Sequence, residues 1–253
     1  MKNINFYFVL FCFTIATNAQ NSNTLDTITN YKSNPLRFNY KQILIPSSLI
    51  GFGLFGLNSN KIKNLNIDNR NEFIENIDEK ASIDDFLQYT PAVSVYALNT
   101  LGISGKHNFK DRTVILGTSF LLVLTSVKIL KNNTKVRRPD NSNDKSFPSG
   151  HTATAFAGAE FLYQEFKDKS IWYGVSGYLV ATTTGIFRMY NNKHWLTDVL
   201  AGAGFGILST KAACWLSPFL NKHILPSLSG NTTAFLTPTY DGNQIGGAFV
   251  LTF

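Results

Sequence analysis

The sequence predicts an all-α protein, a bundle of about six helices followed by a short C-terminal β-hairpin. Its apolar stretches are longer than ordinary strands and are separated by polar segments, which favours helices. Small residues recur within the later stretches, as is typical of closely packed helices. After Pro218 the pattern changes to two short segments on either side of Asp241-Gly242-Asn243, a turn sequence typical of hairpins.

The first 40 residues are expected to lie outside the folded domain. Residues 1–20 resemble a secretory signal peptide, with Lys2 before an apolar run and small residues in Thr17-Asn18-Ala19. A retained anchor helix is the alternative, although the run is short for a membrane span. Residues 21–40 are a polar leader. Without the signal only Cys214 remains, which excludes an internal disulfide and a metal site built on cysteines.

The predicted helical domain covers residues 41–228. Its apolar stretches are, in order, 42–57, 86–103, 113–130, 151–166, 171–189 and 195–216. The third is about long enough to cross a bilayer, and the first is a marginal span because it contains Pro46. Residues 61–80 are charged with spaced apolar residues, which predicts an amphipathic helix on a surface. Residues 229–253 are the predicted hairpin, with strands at 233–240 and 245–253.

One short stretch, Ser146-Phe147-Pro148-Ser149-Gly150-His151-Thr152, has the features of an anion site. Ser149 is a good N-cap, and Gly150 permits a ligand to approach the backbone closely. The helix N-terminus that follows attracts negative charge. The alternative is an ordinary capped helix whose histidine faces solvent.

The flanking segments supply cations and a second histidine. Lys131 and Arg138 precede the stretch, and Arg188 follows it. Because phosphoryl transfer is catalysed mainly by positioning and by charge stabilisation, these three side chains with Ser149 and Gly150 suit a phosphate.

His194 and Asp198 are four residues apart, so on a helix they would share a face. A carboxylate there can orient the imidazole, which makes His194 the candidate nucleophile and Asp198 its partner. His151 would then protonate the leaving oxygen and activate water. One alternative is a metal site, which the converging cations disfavour. The other is that the histidines are structural residues of the core whose hydrogen bonds are satisfied there.

Taken together, three pieces resemble the signature of the type 2 phosphatidic acid phosphatase superfamily, which includes bacterial acid phosphatases and vanadium haloperoxidases. The pieces are Lys-x6-Arg-Pro from Lys131, Pro-Ser-Gly-His from Pro148, and Arg-x5-His-x3-Asp from Arg188. The resemblance covers roughly residues 85–216 and implies the same roles for the matching positions. Phe187 stands where the family usually has serine, so one supporting hydrogen bond is expected to be missing. Lys135 and Arg137 match no motif position and are interpreted as solvated.

The expected activity is metal-independent hydrolysis of phosphomonoesters or pyrophosphates, on lipid-linked substrates, through a phosphohistidine. Lys and Arg number 23 against 16 acidic residues, for a net charge of +7. The basic residues do not form helical stripes with interleaved aromatics, so nucleic acid is not an expected partner. The expected partners are a phosphorylated lipid or small phosphoester as substrate, and a membrane. No cofactor is expected, and vanadate should inhibit. The alternatives are a vanadate-dependent haloperoxidase and an inactive phosphate-binding envelope protein.

The expected location is a bacterial cell envelope, with the site facing the periplasm. If the signal is cleaved and all three apolar stretches before Lys131 cross the membrane, Lys131 would instead lie on the cytoplasmic side. We therefore expect either that one weak stretch does not cross or that the bundle is largely periplasmic and only attached to the membrane.

Overall fold

A computed structural model of the protein describes residues 40–74 and 83–223, together with the backbone of two later strands. The all-α prediction is confirmed for this part of the chain, although its helical segments exceed the predicted six. They are α1 (Lys41–Gly56), α2 (Asn60–Ile74), α3 (Asp84–Leu87), α4 (Thr90–Thr100), α5 (Phe109–Thr134), α6 (Gly150–Phe166), α7 (Ile171–Tyr190) and α8 (Leu196–His223). The predicted signal peptide and leader lie outside the described residues.

Helix α6 is the centre of the bundle, and α4, α5, α7 and α8 all pack against it. Ala153 and Ala157 are fully buried on it. Gly202 of α8 lies so close that a Cβ there would stand 2.5 Å from the carbonyl oxygen of Ser149. The predicted role of small residues in close helix packing is therefore confirmed.

Helices α1 and α2 are joined by a bend of 97°. Helix α1 packs along α8, where a Cβ on Gly53 would stand 2.6 Å from that of Ala201. After the bend, α2 contacts the start of α8 and the end of α7. The predicted amphipathic surface helix is thus present over Asn60–Ile74 and lies across one end of the bundle, and residues 75–80 of the prediction lie outside the described residues.

Among the residues that the structure describes, two helices are long and apolar enough to cross a membrane, Phe109–Thr134 and Leu196–Lys222. The bent pair α1–α2 passes the same test when taken as one span. Leu121 and Leu124 of α5 are exposed, as expected for a surface that meets lipid. Helix α4 has 11 residues, which is too short to cross a bilayer. The stretch 86–103 is therefore divided between α3 and α4.

Helix α8 continues past the predicted end at residue 216 and contains Pro218. A proline removes one backbone donor, but a helix packed against neighbours tolerates the loss. Strands β1 (Thr233–Tyr240) and β2 (Ile245–Thr252) then pair antiparallel, with Thr233 opposite Thr252. The predicted strands are present, and the turn between them lies outside the described residues.

Candidate active site

The motif residues come together at the end of the bundle where α5 ends and α6 and α8 begin. Lys131 lies in the last turn of α5. Its Nζ donates to the carbonyl oxygen of Lys145 at 2.6 Å and lies 3.4 Å from that of Ser146. The backbone N–H of Ser149 donates to the carbonyl oxygen of Asp198 at 3.0 Å. These bonds tie α5, the loop before α6 and the start of α8 into one site.

Ser149 is the N-cap of α6, as predicted. Its hydroxyl lies 3.4 Å from the backbone N–H of Thr152 and 2.8 Å from the Thr152 hydroxyl. Pro148 follows a cis peptide bond, and Gly150 is the first residue of the helix. The first backbone N–H groups of α6, which lack helical partners, therefore lie at the site.

His194 lies in the turn before α8, so the predicted shared helix face is wrong. Its backbone N–H donates to the carbonyl oxygen of Arg188 at 3.3 Å, which folds the turn back toward α7. The two side chains nevertheless meet, with Nδ1 of His194 3.5 Å from Oδ2 of Asp198. That oxygen accepts from the Ser146 hydroxyl at 2.5 Å and from the backbone N–H of Trp195 at 2.9 Å.

The environment of His194 keeps its ring neutral. The side chain is 2 % exposed, and burial lowers its pKa to about 4, although Asp198 opposes the shift. Lys131 and Arg188 lower the pKa further because a second positive charge beside them is unfavourable. In the described part of the chain, Nδ1 of His194 and Oδ1 of Asp198 have no hydrogen-bond partner.

The two arginines keep donors free at the site. Nη1 of Arg188 donates to Asp84 at 2.6 Å, and the backbone N–H of Arg138 donates to Asn143 at 3.0 Å. Burial and the neighbouring Arg188 lower the pKa of Arg138 below its ordinary range. The buried Nε atoms of both arginines lack a partner among the residues that the structure describes. Buried unpaired donors of this kind suit a bound anion.

Part of the chain also matches a known protein family. The sequence profile of the PAP2 superfamily matches residues 112–222, which contain the three motif pieces. Residues 112–222 are therefore similar to members of the PAP2 superfamily.

Several proteins that are named as phosphatases resemble the chain. Lipid A 1-phosphatase of Porphyromonas gingivalis is 36% identical over 139 residues, 54% of this chain and 31% of that protein. Phosphatidylglycerophosphatase B of Bacillus subtilis is 34% identical over 108 residues, 38% of this chain and 51% of the relative. The structure of a transmembrane PAP2 type phosphatidylglycerolphosphate phosphatase from Bacillus subtilis shares 24% identity with a TM-score of 0.46, covering 71% of this chain and 97% of that one. The chain thus spans only about a third to a half of the length of the curated relatives named here.

Two contacts at the site come from α3, which precedes the PAP2 region. Asp85 Oδ1 lies 2.8 Å from Nε2 of His151, and Asp84 pairs with Arg188. Burial and Arg188 lower the pKa of His151, whereas Asp85 and Asp84 raise it. Neither aspartate was predicted from the sequence. The pattern that could have indicated them is a pair of adjacent carboxylates at the start of a helix.

Helix α2 also precedes the PAP2 region and holds the turn that contains His194. Asn66 Nδ2 donates to the Thr197 hydroxyl at 3.0 Å, and Asn66 Oδ1 accepts from the Thr197 backbone N–H at 3.2 Å. Arg70 Nε donates to Asn192 Oδ1 at 2.9 Å. The residues on both sides of His194 are therefore fixed by α2. The sequence indicated the helix but not these contacts.

The remaining positions behave as ordinary supporting or surface residues. Phe187, where the PAP2 motif usually has serine, packs edge-to-face on Tyr190 with ring centroids 6.4 Å apart. Lys135 is exposed at the end of α5. Arg137 pairs with the exposed Asp144 at 3.0 Å. Within residues 40–74 and 83–223, no group of three or more His, Cys, Asp or Glu side chains is arranged to hold a metal ion.

Proposed function

We propose that this protein is a metal-independent phosphatase that hydrolyses phosphomonoesters or pyrophosphates on lipids through a phosphohistidine. The observation that carries the proposal is a buried, neutral His194 beside Asp198, Lys131 and Arg188. An uncharged imidazole among cations is suited to attack an anionic phosphorus centre, because its lone pair is available where negative charge is stabilised.

Binding of the phosphoryl group is assigned to Lys131, Arg138 and Arg188, with Ser149 and the backbone at Gly150 as further donors. The unpaired Nε atoms of the two arginines support this role. Guanidinium groups hold the oxygens of a phosphoryl group in pairs, which fixes its orientation as well as its charge.

The transfer step uses the two histidines in sequence. Nδ1 of His194 faces Asp198, so Nε2 is left to attack phosphorus. The P–O bond to the leaving group breaks, and His151 gives its proton to the departing oxygen. His151 then removes a proton from water, which attacks the phosphohistidine, releases phosphate and restores His194.

A lipid substrate is supported by the placement of the site. Since α5 ends and α8 begins there, the site lies at one end of both candidate spans. The relatives named above are called lipid A and phosphatidylglycerol phosphate phosphatases. Those names also favour hydrolysis over the haloperoxidase alternative. We also propose that the site faces the periplasm, which after cleavage of the signal-like residues 1–20 requires an even number of membrane crossings before Lys131.

The test is turnover of phosphatidic acid and p-nitrophenyl phosphate by purified protein in detergent, with and without EDTA. We expect hydrolysis that EDTA does not change and that orthovanadate inhibits, because vanadate mimics the pentacoordinate phosphoryl group. A radiolabelled phosphate should be trapped on the protein in a form that is labile in acid and stable in alkali. Loss of activity in EDTA and its recovery with zinc or magnesium would contradict the proposal.

A further inference from the structure

We propose that the adjacent carboxylates of α3 are positioning residues of the phosphate site, Asp84 for Arg188 and Asp85 for His151. The inference rests on the proposed function and extends it, since both residues precede the matched region 112–222. Helix α3 packs against α6 and α7, the helices that carry His151 and Arg188. Both carboxylates are therefore held beside residues of the proposed machinery.

Asp84 fixes the guanidinium of Arg188 through a single nitrogen. Asp84 is 1% exposed, and its Oδ2 accepts from Nη1 of Arg188 at 2.6 Å. Its Oδ1 accepts from the side-chain amide of Asn191 at 3.3 Å, so both oxygens are engaged. Arginine has five N–H donors in a rigid plane. One bond to a buried, immobile acceptor orients that plane and leaves the other donors for phosphate.

Asp85 acts on the ring of His151. Its Oδ1 lies 2.8 Å from Nε2 of the ring and 3.8 Å from Nη1 of Arg188. With Nε2 engaged, Nδ1 is the nitrogen left to give a proton to the leaving oxygen. The carboxylate also favours the protonated ring, which a general acid requires, against the opposing effects of burial and Arg188.

The contact with Asp85 serves the chemistry more than the fold. The Asp85 side chain is 58% exposed and that of His151 is 31% exposed, and exposed ion pairs contribute little to stability. An Asp85 variant should therefore fold like the wild type. The chain also offers a matched control, because the Asp144 side chain is 57% exposed and pairs with Arg137 outside the proposed machinery.

The experiment compares Asp85→Asn, Asp85→Glu and Asp144→Asn with the wild type, in full-length protein, on phosphatidic acid and on p-nitrophenyl phosphate across pH. For Asp85→Asn we expect kcat on phosphatidic acid to fall about tenfold, part of the roughly 10²–10⁴ that a general acid contributes. KM should change little, and the loss on the aryl phosphate should be smaller. Without the carboxylate His151 loses its proton at lower pH, so the alkaline limb of kcat/KM should move to lower pH. Asp85→Glu should restore part of the rate, and Asp144→Asn should leave rate and limb unchanged.

Three results would overturn the role of Asp85. One is an alkaline limb of kcat/KM that does not move in Asp85→Asn, together with an unchanged ratio of the turnover rates on the two substrates. Another is a higher kcat/KM with a lower KM, which would make Asp85 an obstruction to phosphate. The third is an equal shift of the limb in Asp144→Asn, which would indicate a general effect of charge. An inactive wild type would instead contradict the proposed function itself.

The role of Asp84 is tested separately by Asp84→Asn, with thermal unfolding measured in parallel. A looser Arg188 should bind the phosphoryl group less well, so we expect orthovanadate to inhibit folded Asp84→Asn more weakly than wild type. Unchanged inhibition by orthovanadate would overturn this part of the proposal.

Discussion

Two regions of the chain contribute to the site in different ways. The PAP2 region, residues 112–222, supplies the groups proposed to contact the phosphoryl group. Two of the preceding helices supply groups that hold those residues in place: Asn66 and Arg70 on α2, and Asp84 and Asp85 on α3. The residues proposed to carry out the chemistry thus lie in the PAP2 region. Much of what orients their side chains comes from outside that region.

The difference follows from what each role requires of a residue. A nucleophile or a phosphate-binding cation must have a particular side chain at a particular spacing, so it forms a motif. A group that only orients needs a donor or acceptor within reach, and several residue types and positions can provide one. The first kind of residue is visible in the sequence, and the second becomes visible only when the fold is known.

The largest effect is expected from removal of the proposed nucleophile. His194→Ala should abolish phosphatase activity and leave the far-ultraviolet circular dichroism spectrum unchanged, because the proposed phosphorylated intermediate forms on the ring of His194. Asp198→Asn should cost less, since the imidazole remains but loses its orienting charge. Turnover of purified His194→Ala near the wild-type level would mean that the PAP2 region does not supply the nucleophile.

An effect of intermediate size is expected for His151→Ala. Loss of a general acid lowers turnover by roughly 10²–10⁴, and a leaving group that needs no proton suffers least. An aryl phosphate should therefore tolerate the substitution far better than phosphatidic acid. The measurement is the ratio of the two turnover rates in wild type and variant. An equal loss on both substrates would assign His151 to binding or to structure.

The smallest effect is expected from α2, which lies outside the PAP2 region. Asn66→Ala removes two hydrogen bonds to Thr197, and each such bond contributes about 1 kcal/mol. We expect a reduced kcat with little change in KM, because the turn that carries His194 is less well fixed while the phosphate-binding cations remain. Lys135→Ala, at an exposed position at the end of α5, is the control. A loss as large as that of His194→Ala would place α2 in the chemistry itself and remove the distinction between the two regions.

The sequence predicted the elements whose signals are local. The N-cap at Ser149 and the small-residue packing of α6 against Gly202 both follow from residue types and short spacings. The meeting of His194 and Asp198 was predicted for the wrong reason, because a tight turn and a helix start bring them together without a shared helix face.

Contacts between distant parts of the chain could not be predicted in the same way. Asn66 and Thr197 are 131 residues apart, and Asp84 and Arg188 are 104 apart. These pairs depend on how α2 and α3 cross the end of the bundle, which the sequence pattern does not specify. The stretch 86–103 contains an interruption that is visible in the sequence, Pro91, but hydropathy alone did not predict the bounds of α3 and α4.

The common end shared by α5, α8 and the proposed catalytic residues has a consequence for how such a protein would work in a closed compartment. A site confined to one end of both candidate spans meets lipid headgroups in one leaflet only. In sealed vesicles with the protein in a single orientation, hydrolysis should stop once that leaflet is depleted and resume when detergent opens the vesicle. The supply of substrate would then depend on whatever carries lipid from the other leaflet, and dephosphorylation would act as a one-sided sink that makes this transfer directional.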